Sequence, residues 1–407
     1  MKKGFLSQYF EGIAIKRLSA VETCSAISNQ HEFNGSKPLK ALFGRDRVSQ
    51  NVRFLWLAGE NEGFSCEGNI TWYDAREAHL TRSEYRLYFK RNDVMDQAMI
   101  GDMLIVAKRS NGEIFMVLVP SGSTLESQIL WLFGVDQIGF DFNFQSIEDN
   151  HNPEVDYAVR YILEEMGIEV ADSDGSYLDG ILEPYFDGGF PRTSIFSELA
   201  RKSLRDVSPY EEPDETLLKW IEQEEKLFKR LERHFVSRRL EEGFRGVGTT
   251  DVEGFIQFSL SVHNRRKSRV GYALENHLEE IFKSHSLTYS RTQITENNSK
   301  PDFLFPHINN YHDLTFPEAR LTMLGVKSTC KDRWRQVLAE ADRINNKHLF
   351  TLEPGISENQ TDEMQANHLQ LILPKRLHGT YRPSQQSWLM DLDSFIQMAK
   401  WRQNSSI

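Results

Sequence analysis

The sequence predicts a multidomain α+β protein with a strand-rich N-terminal part and a C-terminal α/β part built on a mixed central sheet. Its 407 residues are 39% hydrophobic and 26% charged, which is enough for more than one buried core. The first 150 residues are dominated by short aromatic or β-branched runs. From about residue 185, long amphipathic segments precede alternating helices and strands, as in α/β domains.

Five runs in the N-terminal part have strand character, and a Ser-Asn-Gly hairpin signal joins the last two. They are NVRFLWLAG, GNITWYDA, YRLYFKR, DMLIVAKR and EIFMVLVP. Short strands at regular spacing, joined by polar turns, predict a barrel.

A helix and a linker are predicted to follow. The helix stops at Gly167, and one face carries Val155, Val159, Ile162 and Met166. The stretch IEVADSDGSYLDG after it is rich in Asp, Ser and Gly, as linkers are. The predicted domains are therefore residues 1–170 and 185–407, with residues 171–184 as the linker.

The C-terminal part begins with helices and returns to strands late. One amphipathic helix or helix pair runs to Gly243, and helical spacing continues over 252–284. Strands are predicted at 302–306, 321–327, 347–352 and 369–373.

Charge is unevenly distributed. The net charge of −11 argues against a protein that coats nucleic acid without selectivity. Residues 211–225 hold seven acids and one lysine, whereas 264–269 (NRRKSR) carry only basic or neutral residues. A local basic face of this kind is compatible with a nucleic-acid site, and whether the acidic stretch masks it stays open.

Targeting and redox signals are weak. No apolar run reaches the roughly 18 residues of a membrane span, and charges interrupt the N-terminus too early for a secretory signal. We expect a cytoplasmic protein without a membrane partner. Cys24, Cys66 and Cys330 are scattered without a zinc-ligand spacing, and we expect reduced thiols.

Two candidate catalytic residues lie at strand ends. Asp302 opens a short strand, where a carboxylate is costly unless it is paired or metal-bound; a turn cap is the alternative. Lys327 ends a run in which alternation places Met323, Gly325 and Lys327 on one face, with open space beside the glycine. A lysine that only extends to solvent is the alternative.

Two glutamates complete the candidate set. Glu340 borders the apolar stripe of a helix predicted over Asp332 to Ile344, and a solvated glutamate is the alternative. Glu275 lies at the edge of another stripe, with Glu279 pointing away, and His277 within that stripe is interpreted as a core histidine. Carboxylates and a lysine from two strands and two helices are suited to Mg²⁺-assisted hydrolysis, since Mg²⁺ needs only one or two carboxylates.

The C-terminal part resembles the PD-(D/E)XK nucleases and, within them, the EcoRII-type restriction endonucleases. The likeness runs through SVHNRRKSR, ITENNSKPDFLFP, YHD, VKSTCKDRWRQVLAEAD and HLFTLEPG. In these enzymes the second acid is moved from the strand to the following helix. Glu340, thirteen positions after Lys327, fits that displacement, and Gly325 stands where the ordinary motif has an acid.

The resemblance implies roles for individual residues. Asp302, Lys327 and Glu340 would be catalytic, Asp302 and Glu340 would hold Mg²⁺, and Tyr311 would lie near them. Lys331, Asp332 and Arg333 would read bases, which suits guanine acceptors and the cytosine amino group. Asp332 as a helix cap, with solvated arginines, is the alternative.

A thinner likeness links YFEGIAIKRLSAVET and HLTRSEYRLYF to the B3-like pseudobarrel effector domain of the EcoRII type. By that likeness, Arg82, Glu84 and Arg86 would face DNA from one strand, with His31 as a further candidate. A cross-strand salt-bridge ladder is the alternative.

The resemblance implies a homodimeric, Mg²⁺-dependent type II restriction endonuclease that cuts double-stranded DNA at a short GC-containing site. Its N-terminal domain would bind a second site and control autoinhibition, as in type IIE enzymes. Two alternatives stay open. One is a sequence-specific DNA-binding regulator with an inactive nuclease fold, and the other is a repair or recombination nuclease.

Overall fold

The computed structural model describes residues 9–23, 31–57, 64–79, 81–109, 111–146, 156–168, 175–204, 206–245, 250–330 and 333–405. The chain divides into two compact units. The first comprises residues 1–167 with 354–360, and the second comprises residues 168–353 with 361–407.

The first unit is organised around a large mixed sheet. Its strands are β1 (Phe10–Arg17), β2 (Glu32–Asn34), β3 (Val48–Trp56), β4 (Phe64–Asp74), β5 (Tyr85–Phe89), β6 (Met103–Arg109), β7 (Ile114–Val119) and β8 (Asn143–Ser146). They pair in the order β2-β5-β4-β3-β7-β6-β1-β8. Strands β3 and β7 are parallel and the other pairs are antiparallel. The helices are α1 (Ala20–Thr23), α2 (Lys37–Phe43), α3 (Thr124–Leu132) and α4 (Asp156–Glu165).

The five predicted N-terminal runs are confirmed as β3 to β7, and β6 and β7 form the predicted hairpin. Gly112 supplies its turn with φ +87°, a conformation that favours glycine. The prediction missed β1, β2 and β8. Strand β1 is buried on both faces over most of its length, so its sequence lacks the alternation that marks a half-buried strand.

The second unit combines helices with a five-stranded sheet. Its strands are β9 (Ser290–Arg291), β10 (Phe303–Phe305), β11 (Thr322–Val326), β12 (Lys347–Phe350) and β13 (Leu369–Ile372), in the order β13-β12-β11-β10-β9. The antiparallel β9-β10-β11 pairs and the parallel β11-β12-β13 pairs confirm the predicted mixed sheet. The remaining helices are α5 (Gly175–Leu182), α6 (Thr193–Ser203), α7 (Pro213–Glu242), α8 (Val252–Ser284), α9 (Ile308–His312), α10 (Trp334–Leu338), α11 (Glu358–Ala366), α12 (Pro383–Gln386) and α13 (Leu392–Asn404).

The predicted linker is wrong over residues 175–182, which form α5. Leu178 and Leu182, one helical turn apart, are buried in a cluster with Leu227 and Leu231 of α7. Residues 169–174 lie outside the described residues. The preceding helix α4 forms as predicted and Gly167 follows it with φ +75°, whereas Val155 falls outside the description.

The charged stretches of α7 and α8 are partly buried against each other, which removes two arginines from the basic stretch 264–269. Glu224 is 2% exposed and forms ion pairs with Arg269 at 2.6 Å and His277 at 2.9 Å. Arg266 pairs with Glu232 at 2.6 Å. These two arginines of the NRRKSR stretch therefore neutralise interior acids.

Asp214, in the acidic stretch 211–225, also has a structural role. Its carboxylate accepts hydrogen bonds from the backbone N–H groups of Lys375, Leu392 and Asp393 at 3.0 to 3.1 Å. Burial raises the pKa of Asp214 to about 6, against the lowering effect of these donors. The acidic stretch thus fastens α7 to the start of α13 rather than lying wholly in solvent.

Within the described part of the chain, no helix is both long and apolar enough to cross a membrane.

Candidate active site

Asp302 and Lys327 meet where β10 begins and β11 ends. The antiparallel register pairs Phe303 with Leu324, so the residue before β10 lies beside the residue after β11. Asp302 Oδ2 accepts hydrogen bonds from Val326 N at 2.6 Å and from Lys327 Nζ at 3.0 Å. The two side chains are only 16% and 18% exposed. Asp302 therefore bonds the neighbouring strand instead of capping its own turn, and Lys327 points at a carboxylate instead of solvent.

The open space predicted beside Gly325 is filled. A Cβ atom at this position would lie 2.8 Å from Cγ2 of Val337, well inside van der Waals contact. Glycine is thus required because α10 packs directly on β11. This close approach brings the chain that follows α10 to the end of the strand that carries Lys327.

Glu340 lies in a turn, which corrects the predicted helix over Asp332 to Ile344. Helix α10 ends at Leu338, and Ala341 adopts φ +50°, which reverses the chain direction. Glu340 Oε2 is buried and has no hydrogen-bond partner among the described residues. Burial raises the pKa of Glu340 to about 7; Lys327 acts to lower it and Asp302 to raise it further. The acid, the lysine and the second acid therefore lie within electrostatic reach of one another.

Glu275 belongs to the same charged region and is held by an arginine. Arg291 of β9 forms ion pairs with Glu275 at 2.9 Å and Glu279 at 2.7 Å. The expectation that Glu279 points away is therefore wrong, because residues four apart share a helix face. Burial raises the pKa of Glu275, Arg291 opposes the rise, and Asp302 adds to it. The interpretation of His277 as a core histidine is confirmed, since it is fully buried against Glu224.

Tyr311 is fully buried and turned to other partners. Its hydroxyl donates to Glu296 Oε2 at 2.5 Å and accepts from Arg343 N at 3.2 Å. Burial raises its pKa, and the hydrogen bond to Glu296 acts in the same direction. Its contacts therefore run to the turn that carries Glu340 rather than to Asp302 or Lys327.

The predicted base-reading segment is only partly described. Lys331 and Asp332 lie outside the described residues. Arg333 is exposed and immediately precedes α10, whose Trp334 is buried beneath it. The backbone position of Arg333 leaves its side chain accessible to a large ligand.

In the first unit, two of the predicted DNA-facing residues, Glu84 and Arg86, take part in a network of ion pairs. Strand β5 begins at Tyr85, so Arg82 and Glu84 precede it. The prediction that they share one strand face with Arg86 is therefore wrong. Glu84 pairs with Arg76 at 2.6 Å and also with Arg86, which in turn pairs with Glu32 at 3.1 Å. The Arg86 side chain, followed by that of Arg76, lowers the pKa of Glu84. The alternative of a salt-bridge ladder thus describes Glu84 and Arg86.

His31 packs edge-on against Phe89 at 5.8 Å between ring centroids. Its backbone carbonyl accepts a hydrogen bond from Phe89 N at 2.9 Å. His31 therefore lies at the β2–β5 edge of the sheet, in contact with β5.

The donor set near Asp302 fits a hard divalent cation. Among the residues with described positions, no group of three or more His, Cys, Asp or Glu side chains is arranged so that it could hold a metal ion. Mg²⁺ keeps several waters and is commonly held by one or two carboxylates with substrate phosphates. Asp302 and Glu340 provide two such groups, and the buried Oε2 atom of Glu340, which accepts no hydrogen bond from the described residues, is available as a metal ligand.

Sequence reasoning missed Glu296, Arg291 and Arg343. Glu296 begins a three-residue 3-10 helix, Arg291 lies in a two-residue strand and Arg343 lies in a turn, and elements this short show no hydrophobic periodicity. Glu296 stands in the quoted segment ITENNSKPD, so its proximity in sequence to Asp302 was the one available signal.

Comparison with known proteins finds a family model that covers this site. Residues 228–396 match the family model described as EcoRII C terminal. The type II restriction enzyme EcoRII of Escherichia coli is 47% identical over 186 residues, which cover 46% of this chain and 45% of that enzyme. The match thus spans less than half the length of either protein.

Solved structures are more distantly similar. Metal-depleted Ecl18kI in complex with uncleaved, modified DNA is 16% identical with a TM-score of 0.45, over 58% of this chain and 88% of that one. The restriction endonuclease PspGI–substrate DNA complex is 15% identical with a TM-score of 0.44, over 53% and 94%. The family match and the EcoRII identity confirm, for residues 228–396, the resemblance to the EcoRII C-terminal part that was drawn from the sequence.

Proposed function

We propose that this chain is a Mg²⁺-dependent type II restriction endonuclease that hydrolyses phosphodiester bonds in double-stranded DNA. One observation carries the proposal. Lys327 Nζ contacts Asp302 Oδ2 at 3.0 Å, and both groups act electrostatically on the buried carboxyl of Glu340. All three residues lie in the segment that matches the EcoRII C-terminal model.

Each residue of the site has a distinct role. Asp302 and Glu340 would hold the ion, and Lys327 would place its ammonium group against the scissile phosphate. When bound, the ion supplies a water of lowered pKa and neutralises charge that grows on the phosphate. Glu275, held by Arg291, adds negative charge at the edge of the site.

Specificity is proposed to reside beside α10. Arg333, with Lys331 and Asp332, reads a short GC-containing site. Cations donate to the O6 and N7 atoms of guanine, and an acid accepts from the N4 amino group of cytosine. Each good bidentate contact discriminates by about 1 to 3 kcal/mol.

The N-terminal part is proposed as a B3-like effector domain over residues 1–170, with the catalytic domain over residues 185–407. The effector domain binds a second copy of the site and relieves autoinhibition. Addition of a short duplex that contains the site tests this on the full chain. We expect faster cleavage of a plasmid that carries one site, and an unchanged rate would contradict second-site control.

A homodimer is proposed because the two strands of a palindromic site require two equivalent active sites. Helix α8 offers a surface for the second copy. Val252, Ile256 and Leu260 recur every four residues and are each about half exposed. Such a stripe is self-complementary when two copies meet across a twofold axis.

Incubation of the protein with plasmid of known sequence, with and without Mg²⁺, tests the proposed activity. We expect discrete fragments with Mg²⁺ only, and loss of cutting in Asp302→Ala. Site-specific binding without cutting would favour the regulator instead. Cutting that follows branched structure rather than sequence would favour a repair nuclease.

A further inference from the structure

The turn that carries Glu340 is held by side chains from several parts of the second unit. Lys347 Nζ donates to the carbonyl of Leu338 at 3.0 Å, and Ser299 Oγ donates to that of Ala339 at 3.3 Å. On the other side of Glu340, the N–H of Asp342 donates to Glu296 Oε2 at 3.3 Å. The turn conformation is therefore imposed from outside rather than by local helix formation.

The conformation needs this support. Ala341 has φ +50°, a region that residues other than glycine seldom adopt. Its side chain is completely buried, so the strained residue is locked in place by packing. Release of the surrounding contacts would allow the turn to relax, and Glu340 would move with it.

Arg343 makes the most extensive of these contacts. Its guanidinium group donates to three backbone carbonyls, those of Tyr311, Asp313 (3.1 Å) and Phe316 (2.9 Å). It also lies over the ring of Tyr311, 5.6 Å from the centroid. The planar fork of an arginine carries its N–H donors on three nitrogens and can reach acceptors that lie apart, whereas the three N–H groups of a lysine share one nitrogen. Arg343 thus joins the Glu340 turn to residues 311–316.

Tyr311 and Glu296 complete a three-way connection. The Tyr311 hydroxyl donates to Glu296 and accepts from Arg343 N, so both of its hydrogen-bonding functions are used. Glu296 in turn precedes Asp302 by six residues, in the segment that leads to β10. The connection therefore ties the turn with one acid to the segment that leads to the other.

We propose that Glu296, Tyr311 and Arg343 are positioning residues that fix the Glu340 carboxylate for cation binding. The inference rests on the proposed function. It assigns roles to two residues that the sequence did not single out, and it changes the role of Tyr311. Tyr311 acts through the turn, and its hydroxyl does not touch the reacting atoms.

The experiment measures Mn²⁺ binding to the full chain by calorimetry without DNA, and separately the Mn²⁺ concentration needed for half-maximal plasmid cleavage. The test variants are Tyr311→Phe, which removes only the hydroxyl, and Arg343→Lys, which keeps the charge. Tyr381→Phe is the matched control, because the buried Tyr381 hydroxyl donates to the carbonyl of Glu353 at 2.7 Å, away from the turn. Thermal unfolding of each variant verifies that it is folded.

We expect about tenfold weaker Mn²⁺ binding in Tyr311→Phe and Arg343→Lys, as for the loss of one net hydrogen bond. The half-maximal Mn²⁺ concentration rises by the same factor, and the rate recovers at saturating Mn²⁺. Tyr381→Phe binds Mn²⁺ as the unsubstituted chain does. A rate that stays low at saturating Mn²⁺ in Tyr311→Phe would overturn the positioning role.

Two reference variants separate this inference from the proposed function. If Asp302→Ala and Glu340→Gln lose Mn²⁺ binding while Tyr311→Phe and Arg343→Lys retain it in full, the positioning role is wrong and the proposed site stands. If Asp302→Ala binds Mn²⁺ as well as the unsubstituted chain, the proposed site itself is wrong.

Discussion

Replacement of Glu340 by glutamine should stabilise the protein above neutral pH, although it should abolish cleavage. In the folded chain burial raises the pKa of this carboxyl from 4.5 to about 7. That difference corresponds to at most about 3 kcal/mol of stability. Glutamine has nearly the same shape and carries no charge, so it avoids the cost of an ionised, buried and unpartnered group.

The sign of the pH dependence follows from the raised pKa. Below about pH 4.5 the carboxyl is protonated in both states and contributes no penalty. Between pH 4.5 and about 7 the folded chain retains a proton that the unfolded chain has lost, so stability falls as pH rises. Above about pH 7 the full penalty is present. The advantage of Glu340→Gln should therefore be near zero at pH 4.5 and largest at pH 8.

The assay is urea unfolding in the presence of EDTA. Unfolding is monitored by hydrogen exchange in peptides from β11 and β12, because these peptides report on the second unit alone. Glu363→Gln is the control, because Glu363 is exposed and its ion pair with Arg335, at 2.7 Å, lies on the surface. Equal stability of Glu340→Gln and the unsubstituted chain at pH 8 would refute the reasoning. So would a gain of the same size at pH 4.5 and pH 8.

Three further predictions address packing, assembly and the N-terminal ladder. Gly325→Ala should destabilise the second unit by about 1 to 3 kcal/mol, because the added methyl group would collide with Val337. The double variant Gly325→Ala/Val337→Ala should recover part of that loss. The urea concentration at the midpoint of unfolding measures each effect. Ile256→Glu should convert a dimer into a monomer in sedimentation experiments, whereas Ser261→Glu on another side of α8 should leave it dimeric. Arg86→Ala should lower the free energy of unfolding by less than about 1 kcal/mol. If Arg86 contacts a phosphate, the same variant should reduce the slope of log K for DNA binding against log salt concentration by about one. An unchanged slope would mean that Arg86 serves only in the ion-pair ladder.

The success of the sequence reasoning depended on whether a strand is a long run of aromatic or β-branched residues. Such runs predicted β3 to β7, although only β3, β4 and β5 have a partly exposed face and β6 and β7 are mostly buried. Strand β1 is buried on both faces, and β2 and β9 have only three and two residues, so periodicity had little to detect.

The error at α10 has a related cause. Ala341 and Ile344 are buried, so they extend the apolar stripe of the helix in sequence. They are buried by a turn with a left-handed residue, and periodicity alone does not distinguish the two arrangements. The linker error is the reverse case, because Leu178 and Leu182 of α5 were outweighed by the polar residues around them.

The site could be predicted from the sequence only in its residue types. Asp302 and Lys327 are brought together by antiparallel pairing of β10 and β11, which spacing along the chain does not specify. The resemblance to a nuclease family supplied that information. The contacts of Tyr311 with Glu296 and Arg343 link residues 15 and 32 positions apart, and no local pattern marks them.

The shared cation site is tested most directly by anomalous diffraction from crystals of the protein soaked in Mn²⁺. We expect an anomalous peak bonded to carboxylate oxygens of both Asp302 and Glu340, with water at its other positions. A peak bonded to only one of the two carboxylates, or the two side chains ordered on opposite sides of the sheet, would contradict it.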